Sequence, residues 1–352
     1  MNRVTTNKRA GLVDLGQVDL HRASSPWAVS LSLQIGETLW MDSIAHDLLP
    51  STSKELRIGA HTLRYLDVGD SDNVLLCVHG NPTWSFYYRG VIDRFSDTHR
   101  VIAVDHLGCG RSEKPARDAF PYTLAAHRDN LVALIDSLDL RNVTLVAHDW
   151  GGAIGLSALL ERQDRFDRIV LLNTGAFPPP YIPWRISACR IPLLGTLAVR
   201  GFNAFARAAI TMAMSRSRMS SEVASGLLAP YDNWNHRVAI DAFVKDIPGS
   251  KNHPTYATLA KLETELPKLA GLPSLLVWGM KDWCFRPECL RRFQAVWPNA
   301  KSIEIADAGH YVIEDAPGET LDAIDEFLRR SGGELDVAAG QQGAIGAGGD
   351  NG

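Results

Sequence analysis

One short segment constrains the fold of this chain more than any other. An apolar run, Val143–Ala147, leads into His148-Asp149-Trp150-Gly151-Gly152, and an apolar, helix-forming stretch, Ala153–Leu160, follows. The run has the length of a buried strand, and the two glycines allow the backbone to turn sharply into a helix. The segment therefore predicts a strand–turn–helix unit that places Asp149 at the turn.

Asp149 stands where a serine stands in the strand–turn–helix arrangement called the nucleophile elbow. A serine alkoxide suits acyl carbonyls, whereas a carboxylate attacks an electrophilic saturated carbon and leaves an alkyl-ester intermediate. Asp149 therefore predicts displacement at carbon: cleavage of a carbon–halogen bond, an epoxide or a strained C–O bond. The alternative is an aspartate that only caps a helix after a strand. The partners described below complete a catalytic set and favour the nucleophile.

Strand-like and helix-like segments alternate along most of the chain. The predicted strands are Leu63–Val68, Val74–Val78, Val101–Val104, Val143–Ala147, Ile169–Leu172, Ser274–Trp278 and Lys301–Ile305. The predicted helices of this framework are Leu124–Leu138, Ala153–Leu160 and Glu319–Arg329. Such alternation predicts an α/β fold with a mostly parallel, doubly wound sheet.

The alternation breaks once, which predicts an insertion. Residues 176–260 are rich in proline, arginine and aromatic residues, and contain the helix-forming stretches Gly201–Met214 and Val238–Lys245. We interpret this part as a helical cap inserted into a core made of residues 51–175 and 261–330. Residues 1–50 are expected to be an N-terminal extension, partly ordered around Trp27–Trp40. Residues 331–352, dominated by glycine, alanine and glutamine, are expected to be disordered.

Composition narrows the function classes. The 352 residues carry a formal net charge of −4, which gives no reason to expect nucleic acid or an anionic membrane as a partner. The five cysteines are scattered, with no CxxC pair and no Cys/His metal spacing, so we expect no metal and a reducing, cytoplasmic setting. Met1–Leu20 has no apolar core of a secretory signal, and no apolar run reaches the length of a membrane-spanning helix.

One apolar stretch of the cap allows two interpretations. Ile191–Val199 is almost entirely apolar but short, and it contains a proline and a glycine. We expect it to line a pocket for an apolar substrate, with association to a surface as the alternative.

A nucleophilic aspartate that forms an ester needs a base to hydrolyse it and an acid to orient that base. His310 follows the last predicted strand and is the candidate base, since a loop there reaches the strand tips where the elbow lies. Asp282, just past the strand Ser274–Trp278, is the candidate acid. The alternatives are a surface-loop histidine and a turn aspartate. Asp307 lies nearer to His310 in sequence, but we interpret it as structural.

Two residues are candidate donors to a leaving group. Asn81 follows the buried strand Val74–Val78, at the position of an oxyanion loop, and Trp150 follows Asp149. Their backbone N–H groups form the predicted oxyanion pair, and their side chains supply further N–H donors. A turn residue before Pro82 and a plain core aromatic are the alternatives. His79 and His148 are expected to support the site rather than act as bases, and the glycine-rich turn Asp105–Ser112 to be structural.

With these residues in place, the chain resembles the haloalkane dehalogenase family of α/β-hydrolases over roughly Leu56–Arg329. The resemblance implies Asp149 as nucleophile, His310 as base, and Asn81 with Trp150 as the halide-stabilising pair. In one branch the acid follows the strand after the cap, which fits Asp282. In another it is a glutamate after the strand before the cap, where this chain reads Leu172-Asn173-Thr174-Gly175-Ala176. The chain therefore looks like the third subfamily.

That subfamily includes β-lactone decarboxylases of long-chain olefin biosynthesis. The segments that look similar to those enzymes are Asp105–Gly110, Val199–Arg207, Ala229–Trp234 and Phe243–Pro248. The N-terminal extension and the glycine- and alanine-rich tail depart from the pattern. The resemblance implies a hydrophobic small-molecule substrate, no cofactor, and a multi-enzyme assembly with other olefin-biosynthesis enzymes.

The resulting expectation is decarboxylation of cis-dialkyl β-lactones to cis-alkenes. The alternative is a haloalkane dehalogenase, which shares the first step, and for which a halide would be a ligand. Epoxide hydrolysis comes third and needs a cap tyrosine as acid, for which Tyr181, Tyr231 and Tyr256 are available. A different class, a non-catalytic receptor or scaffold on this fold, remains because fold does not fix function.

Overall fold

The computed structural model describes residues 48–49 and 53–330. The expected tail, and the expected N-terminal extension except for residues 48 and 49, lie outside this described part. Eight strands are formed: β1 (Lys54–Ile58), β2 (His61–Val68), β3 (Val74–Val78), β4 (Arg100–Asp105), β5 (Val143–Asp149), β6 (Phe166–Thr174), β7 (Ser274–Gly279) and β8 (Lys301–Ile305). They make one sheet in the order β1-β2-β4-β3-β5-β6-β7-β8.

The sheet is antiparallel only at one edge. β1 pairs with β2 and β2 with β4 in antiparallel fashion, whereas every later pair is parallel. The predicted α/β architecture with a mostly parallel sheet is therefore confirmed. The pattern missed β1, a short and largely exposed strand that owes its place to pairing with β2 rather than to an apolar signal.

The longer helices lie between the parallel strands and in one large insertion. They are α1 (Arg89–Phe95), α2 (Leu124–Ser137), α3 (Trp150–Glu161), α4 (Trp184–Cys189), α5 (Ala204–Met212), α6 (Ser221–Leu228), α7 (Val238–Asp246), α8 (Pro254–Glu265) and α9 (Pro287–Val296). A last helix, α10, covers residues 317–330. None of the helices within 53–330 has the length and hydropathy to cross a membrane.

Both faces of the sheet are buried. Along β3, Leu76 and Val78 belong to one apolar cluster, and Leu75 and Cys77 belong to another. Because successive side chains of a strand point to opposite faces, the two clusters are the two sides of the sheet. Double burial explains why the central strands read as unbroken apolar runs in the sequence.

The insertion between β6 and β7 is helical, from α4 to α8. The stretch expected as one helix over Gly201–Met214 is divided: a π-helical segment, Leu197–Gly201, ends there, and α5 begins only at Ala204. The interruption is Asn203, whose backbone is left-handed with φ of 52°. An asparagine tolerates this conformation, and it stops a helix from running through. The predicted end of the cap at residue 260 falls inside α8.

Helix α3 packs so closely on the sheet that Gly151 and Gly155 have no room for a side chain. A Cβ atom added at Gly151 would lie 1.9 Å from the carbonyl oxygen of Val78 in β3, and one at Gly155 would lie 2.8 Å from Leu145. The Val78 carbonyl oxygen is a backbone atom and, unlike a side chain, cannot rotate away. The glycines of the turn are therefore a packing requirement as well as a conformational one.

We expect Gly151→Ala to destabilise the protein by about 3 kcal/mol, because α3 must move away from β3 to accommodate the methyl group. Gly318→Ala is the matched control, since nothing lies within 4 Å of its added Cβ. That change is expected to alter the free energy of unfolding by about 1 kcal/mol or less. The measurement is the urea midpoint of each variant. Equal midpoints for the two variants would contradict the packing argument.

Candidate active site

The candidate nucleophile lies where β5 ends and α3 begins. Asp149 is the last residue of β5, with φ of 53° and ψ of −127°, a conformation that non-glycine residues rarely adopt. The neighbouring contacts hold it there: Thr174 of β6 donates a hydrogen bond from its hydroxyl to the Asp149 carbonyl oxygen. A Cβ at Gly152 would lie 1.9 Å from that same hydroxyl oxygen. The strained turn brings the carboxylate out of the sheet.

The loop after β3 closes on this carboxylate. The backbone N–H of Asn81 donates to Asp149 Oδ1 at 2.6 Å, and the Trp150 N–H donates to the same carboxylate. This approach requires glycine at position 80, where an added Cβ would lie 2.0 Å from Asp149 Oδ1. Asp105 anchors the far end of the loop by accepting the Ser85 N–H at 2.7 Å. The predicted pair of backbone donors is present.

His310 lies between the two carboxylates, on the loop after β8. Its Nε2 is 3.6 Å from Asp149 Oδ2, and its Nδ1 is 2.8 Å from Asp282 Oδ2. His148 donates from Nε2 to the His310 carbonyl oxygen at 2.9 Å, which fixes the backbone of the loop. Asp315 accepts the N–H of Gly309 at 2.7 Å and holds the same loop from the other side. The three residues predicted from the sequence as a catalytic set therefore meet in space.

Asp282 is held by a residue that the sequence analysis did not select. Asn173, near the end of β6, donates from Nδ2 to Asp282 Oδ2 at 3.0 Å and accepts the Gly279 N–H at 2.8 Å. The N–H of Cys284 donates to the other oxygen, Asp282 Oδ1, at 2.6 Å. Asn173 lies within Leu172–Ala176, the segment in which the family resemblance places the acid of the other branch. Asp307, by contrast, pairs with Arg216 on the surface.

Burial and neighbouring charges have opposite effects on the pKa of Asp149, and also on the pKa of His310. Burial raises the pKa of Asp149 above its usual range, although nearby His310 and the N–H groups of Asn81 and Trp150 offset part of this effect. Burial alone would lower the pKa of His310. The charge and hydrogen bond of Asp282, together with the charge of Asp149, outweigh burial and raise that pKa. The arrangement therefore stabilises an imidazolium between two carboxylates.

The other buried histidines near the site are neutral supports. His79 donates from Nδ1 to the Gly80 carbonyl oxygen at 2.7 Å and accepts the His106 N–H at Nε2, 3.1 Å away. Burial lowers the pKa of His79 to about 3 and lowers that of His148 well below its usual range. Neither ring belongs to the walls of the pocket described next.

A pocket of about 1090 Å³, counted together with its open mouth, lies over Asp149 and His310. Its walls come from the elbow, the loop after β7 and the insertion, and almost all of the side chains are apolar. The residues from the insertion are Phe177, Pro179, Pro180, Tyr181, Ile182, Pro183, Ile186, Phe205, Ala209, Ala213, Val244, Ile247, Pro248 and Leu259. Such a lining accepts alkyl groups and excludes charged ones.

Two side-chain donors face this apolar space. Asn81 and Trp150 both line the pocket. Asn81 donates one Nδ2–H to the Ile240 carbonyl oxygen at 3.3 Å, which leaves its second amide hydrogen available. The indole N–H of Trp150 has no acceptor among the hydrogen bonds of the described residues. Two donors beside the nucleophile can hold an oxygen or halide on which negative charge develops.

The structure changes two expectations about the pocket walls, one on Ile191–Val199 and one on the cap tyrosines. Residues Ile191–Val199 do not line the pocket, so the preferred interpretation of that stretch is wrong; most of its large side chains face outward. Of the three cap tyrosines, only Tyr181 lines the pocket, and its hydroxyl donates to the carbonyl oxygen of Cys284 at 3.1 Å. No tyrosine hydroxyl from the cap is thus directed at Asp149 as an epoxide-opening acid would be.

Within the part of the chain that the structure describes, no group of three or more histidine, cysteine, aspartate or glutamate side chains is arranged to hold a metal ion. All five cysteines are free.

Comparisons with known proteins identify the fold and the relatives of this chain. Residues 73–317 match the family model for the alpha/beta hydrolase fold. A cis-3-alkyl-4-alkyloxetan-2-one decarboxylase from Shewanella oneidensis is 40% identical over 285 residues, which cover 80% of this chain and 89% of that protein. Haloalkane dehalogenase 2 from Mycobacterium bovis is 34% identical, covering 79% of this chain and 96% of that protein.

A solved structure gives the same result. The haloalkane dehalogenase from Paraglaciecola agarilytica superimposes with a TM-score of 0.67 at 29% identity, covering 78% of this chain and 92% of that one. The chain therefore belongs to the α/β-hydrolase fold family, as an enzyme related both to haloalkane dehalogenases and to oxetanone decarboxylases.

Proposed function

We propose that this protein decarboxylates cis-3,4-dialkyl-oxetan-2-ones, the β-lactones named in its decarboxylase relative, to cis-alkenes. The observation that carries the proposal is the aspartate elbow inside an almost wholly apolar pocket. An aspartate in this position attacks saturated carbon, and the four-membered lactone offers a strained C–O bond at such a carbon. The higher identity to the decarboxylase than to the dehalogenase supports the choice of substrate.

In the proposed first step, Asp149 attacks ring carbon 4 of the lactone. A bond forms between the aspartate oxygen and that carbon, and the bond from the carbon to the ring oxygen breaks. The electron pair of the broken bond stays on the ring oxygen, which becomes part of a carboxylate. The opened substrate remains attached to Asp149 as an alkyl ester. Asn81 and Trp150 are proposed to hold the oxygen on which this charge develops.

In the second step, the new carboxylate leaves as CO2. The electrons of its C–C bond form the alkene, and the ester C–O bond returns its electrons to Asp149. No water is consumed and the nucleophile is restored. Attack from the rear inverts carbon 4, and departure of CO2 and aspartate from opposite faces then places both alkyl groups on the same side, which accounts for a cis product.

His310 has a restricted part in this reaction. Its Nε2, 3.6 Å from Asp149, lies near the oxygen that receives the returning electrons. As an imidazolium it favours the ionised aspartate and so favours departure of the alkene. The neutral base that ester hydrolysis would need is not required.

Haloalkane hydrolysis is the second candidate, because a complete His310–Asp282 pair is also present. Asp149 would displace halide from carbon, and neutral His310 would take a proton from the water that attacks the ester. The two reactions share their first step and differ in the fate of the ester. A bound halide, a multi-enzyme assembly and a cytoplasmic location stay predictions.

We expect purified protein to convert a cis-dialkyl β-lactone to alkene much faster than it releases bromide from a long-chain bromoalkane. Gas chromatography of the alkene and ion chromatography of bromide measure the two rates. Asp149→Asn should lower both rates by about a thousandfold or more, because both need the nucleophile.

Asp307→Asn is the matched control, since Asp307 lies on the surface. It should leave both rates unchanged. Fast bromide release without alkene would assign the protein to the dehalogenases instead. Retention of alkene formation by Asp149→Asn would exclude the proposed nucleophile.

Removal of the base should separate the two reactions. His310→Ala is expected to accumulate a covalent alkyl ester on Asp149 with a bromoalkane, because water is no longer activated, while alkene formation from the lactone continues at a reduced rate. Intact-mass spectrometry, followed by digestion to the peptide that holds Asp149, detects the ester. The double variant Asp149→Asn with His310→Ala should carry no adduct at that peptide. Sustained bromide release without an adduct would rule out His310 as the base.

The two reactions should also differ in pH dependence. Alkene formation needs ionised Asp149, so on the acid side its rate should fall as the pH drops through the raised pKa of that carboxyl. Bromide turnover needs neutral His310, whose pKa is raised above 6.5, so its rate should fall at a higher pH. Rates measured from pH 4 to 9 show at which pH each reaction slows on the acid side. The same pH for alkene formation and bromide turnover would contradict the prediction.

A further inference from the structure

The insertion carries a second feature, on its outer side. Eight large apolar side chains of the described residues are strongly exposed, and seven of them lie between residues 184 and 234. We call six of these the apolar face: Trp184, Ile191, Leu193, Leu194, Leu197 and Phe202. Trp184 is 73% exposed, Leu193 86%, Leu194 67% and Phe202 70%, far beyond what single surface leucines show.

Local structure holds these side chains outward. Leu193 adopts φ of 62°, a left-handed conformation that is strained for leucine and places it at the tip of a turn. The inner side of this turn is filled: the Gly195 N–H donates to the Ile191 carbonyl oxygen at 2.8 Å, and a Cβ on Gly195 would lie 2.1 Å from the carbonyl oxygen of Cys189. The turn is thus closely packed against Cys189, and the Leu193 and Leu194 side chains lie on its outer side.

The charges around the apolar face are of one sign. Residues 176–221 contain six arginines and neither lysine nor acidic residues, which gives this segment a formal charge of +6 in a chain whose net charge is −4. Arg216 pairs with Asp307 and Glu319 outside the insertion. No ion pair within the described structure involves Arg185, Arg190 or Arg207. The segment that forms the apolar face is therefore basic.

Two of the aromatic rings lie directly beneath arginines. The guanidinium of Arg185 lies 5.2 Å from the ring centre of Trp184, and that of Arg200 lies 4.5 Å from the ring centre of Trp234. Burial lowers the pKa of Arg200 and the charge of Asp241 offsets part of this shift, but Asp241 is buried and pairs with Lys245. Tryptophan next to arginine is typical of proteins that lie at the boundary between lipid headgroups and acyl chains.

The apolar face adjoins the pocket through shared helices. In α4, Ile186 belongs to the pocket wall while Trp184 points to solvent. Near α5, Phe205 and Ala209 belong to the wall, and Phe202, just before the helix, is exposed. Two short segments therefore form the pocket on one side and the apolar face on the other.

We infer that the apolar face binds an anionic lipid surface, with the leucines inserted among the acyl chains and the arginines on the lipid phosphates. Arg185, Arg190 and Arg207, which form no ion pair within the described structure, match a negative surface. A second copy of this chain fits less well, because a two-fold contact would bring the same arginines against one another. The inference rests on the outer surface alone and stands whether or not the proposed reaction is correct.

We expect the full chain to float with vesicles of equal phosphatidylglycerol and phosphatidylcholine, and not with vesicles of phosphatidylcholine alone. Leu193→Asp combined with Leu194→Asp should weaken binding by about a hundredfold, because two inserted side chains are lost and two charges oppose the lipid. Ala295→Asp combined with Asn299→Asp, exposed positions at the end of α9, adds the same charge and should leave binding within about twofold.

A second pair tests the charges. Arg185→Gln with Arg207→Gln should weaken binding about tenfold or more, whereas Arg329→Gln with Arg330→Gln, two exposed arginines of α10, should not. Asp149→Asn should bind vesicles like the unaltered chain, which separates this result from catalysis.

Absence of flotation, or flotation unchanged by the leucine pair, would overturn the inference. Sedimentation velocity of the same variants detects self-association of the chain. Self-association that the leucine pair abolishes, without vesicle binding, would assign the face to a contact between copies of the chain and overturn the lipid interpretation.

Discussion

The whole site depends on one backbone constraint at the end of β5. Asp149 must leave a strand that is buried on both faces and present its carboxylate to a pocket, which its φ of 53° achieves within a single residue. That turn is tolerated only because three neighbours approach without side chains of their own: Gly80 under the carboxylate, Gly151 against β3 and Gly152 against Thr174. The close approach delivers the Asn81 N–H to the carboxylate at 2.6 Å. Strain in the turn and the donors of the site are therefore consequences of the same packing.

Placing two carboxylates and an imidazole in a buried space would be unfavourable if the charges were not paired. Asp282 meets this requirement with three donors: Asn173 Nδ2, the Cys284 N–H and His310 Nδ1. The charge and hydrogen bond of Asp282 raise the pKa of His310 in spite of its burial. Asp149 has fewer donors, so burial prevails and its pKa is raised. The three donors thus compensate the burial of Asp282, while the nucleophile keeps the higher reactivity of a less solvated carboxylate.

The sequence predicts these residues well because each follows a strong local signal. Asp149 and Asp282 come at or just after apolar runs that form buried strands, and His310 follows the short, half-buried strand Lys301–Ile305. Parallel strands bring their carboxyl ends to one edge. The failures have equally local causes. β1 has no apolar pattern and exists through pairing with β2. Asn173 acts through a contact with Asp282, 109 positions away, which no periodicity reveals. For Ile191–Val199, composition alone cannot say which side of a thin helical layer an apolar residue faces.

That last error points to a property of the insertion as a whole. A layer of short helices over a sheet normally buries apolar residues on its inner side and exposes polar ones on the outer side. Here the inner side lines an apolar pocket and part of the outer side is apolar too, with arginine as the charged residue between positions 176 and 221. Exposure of such an outer surface to water is unfavourable. The pocket wall and the apolar face therefore belong to the same short helices, so the lipid contact that we infer would lie on the outer side of the layer that lines the pocket over Asp149.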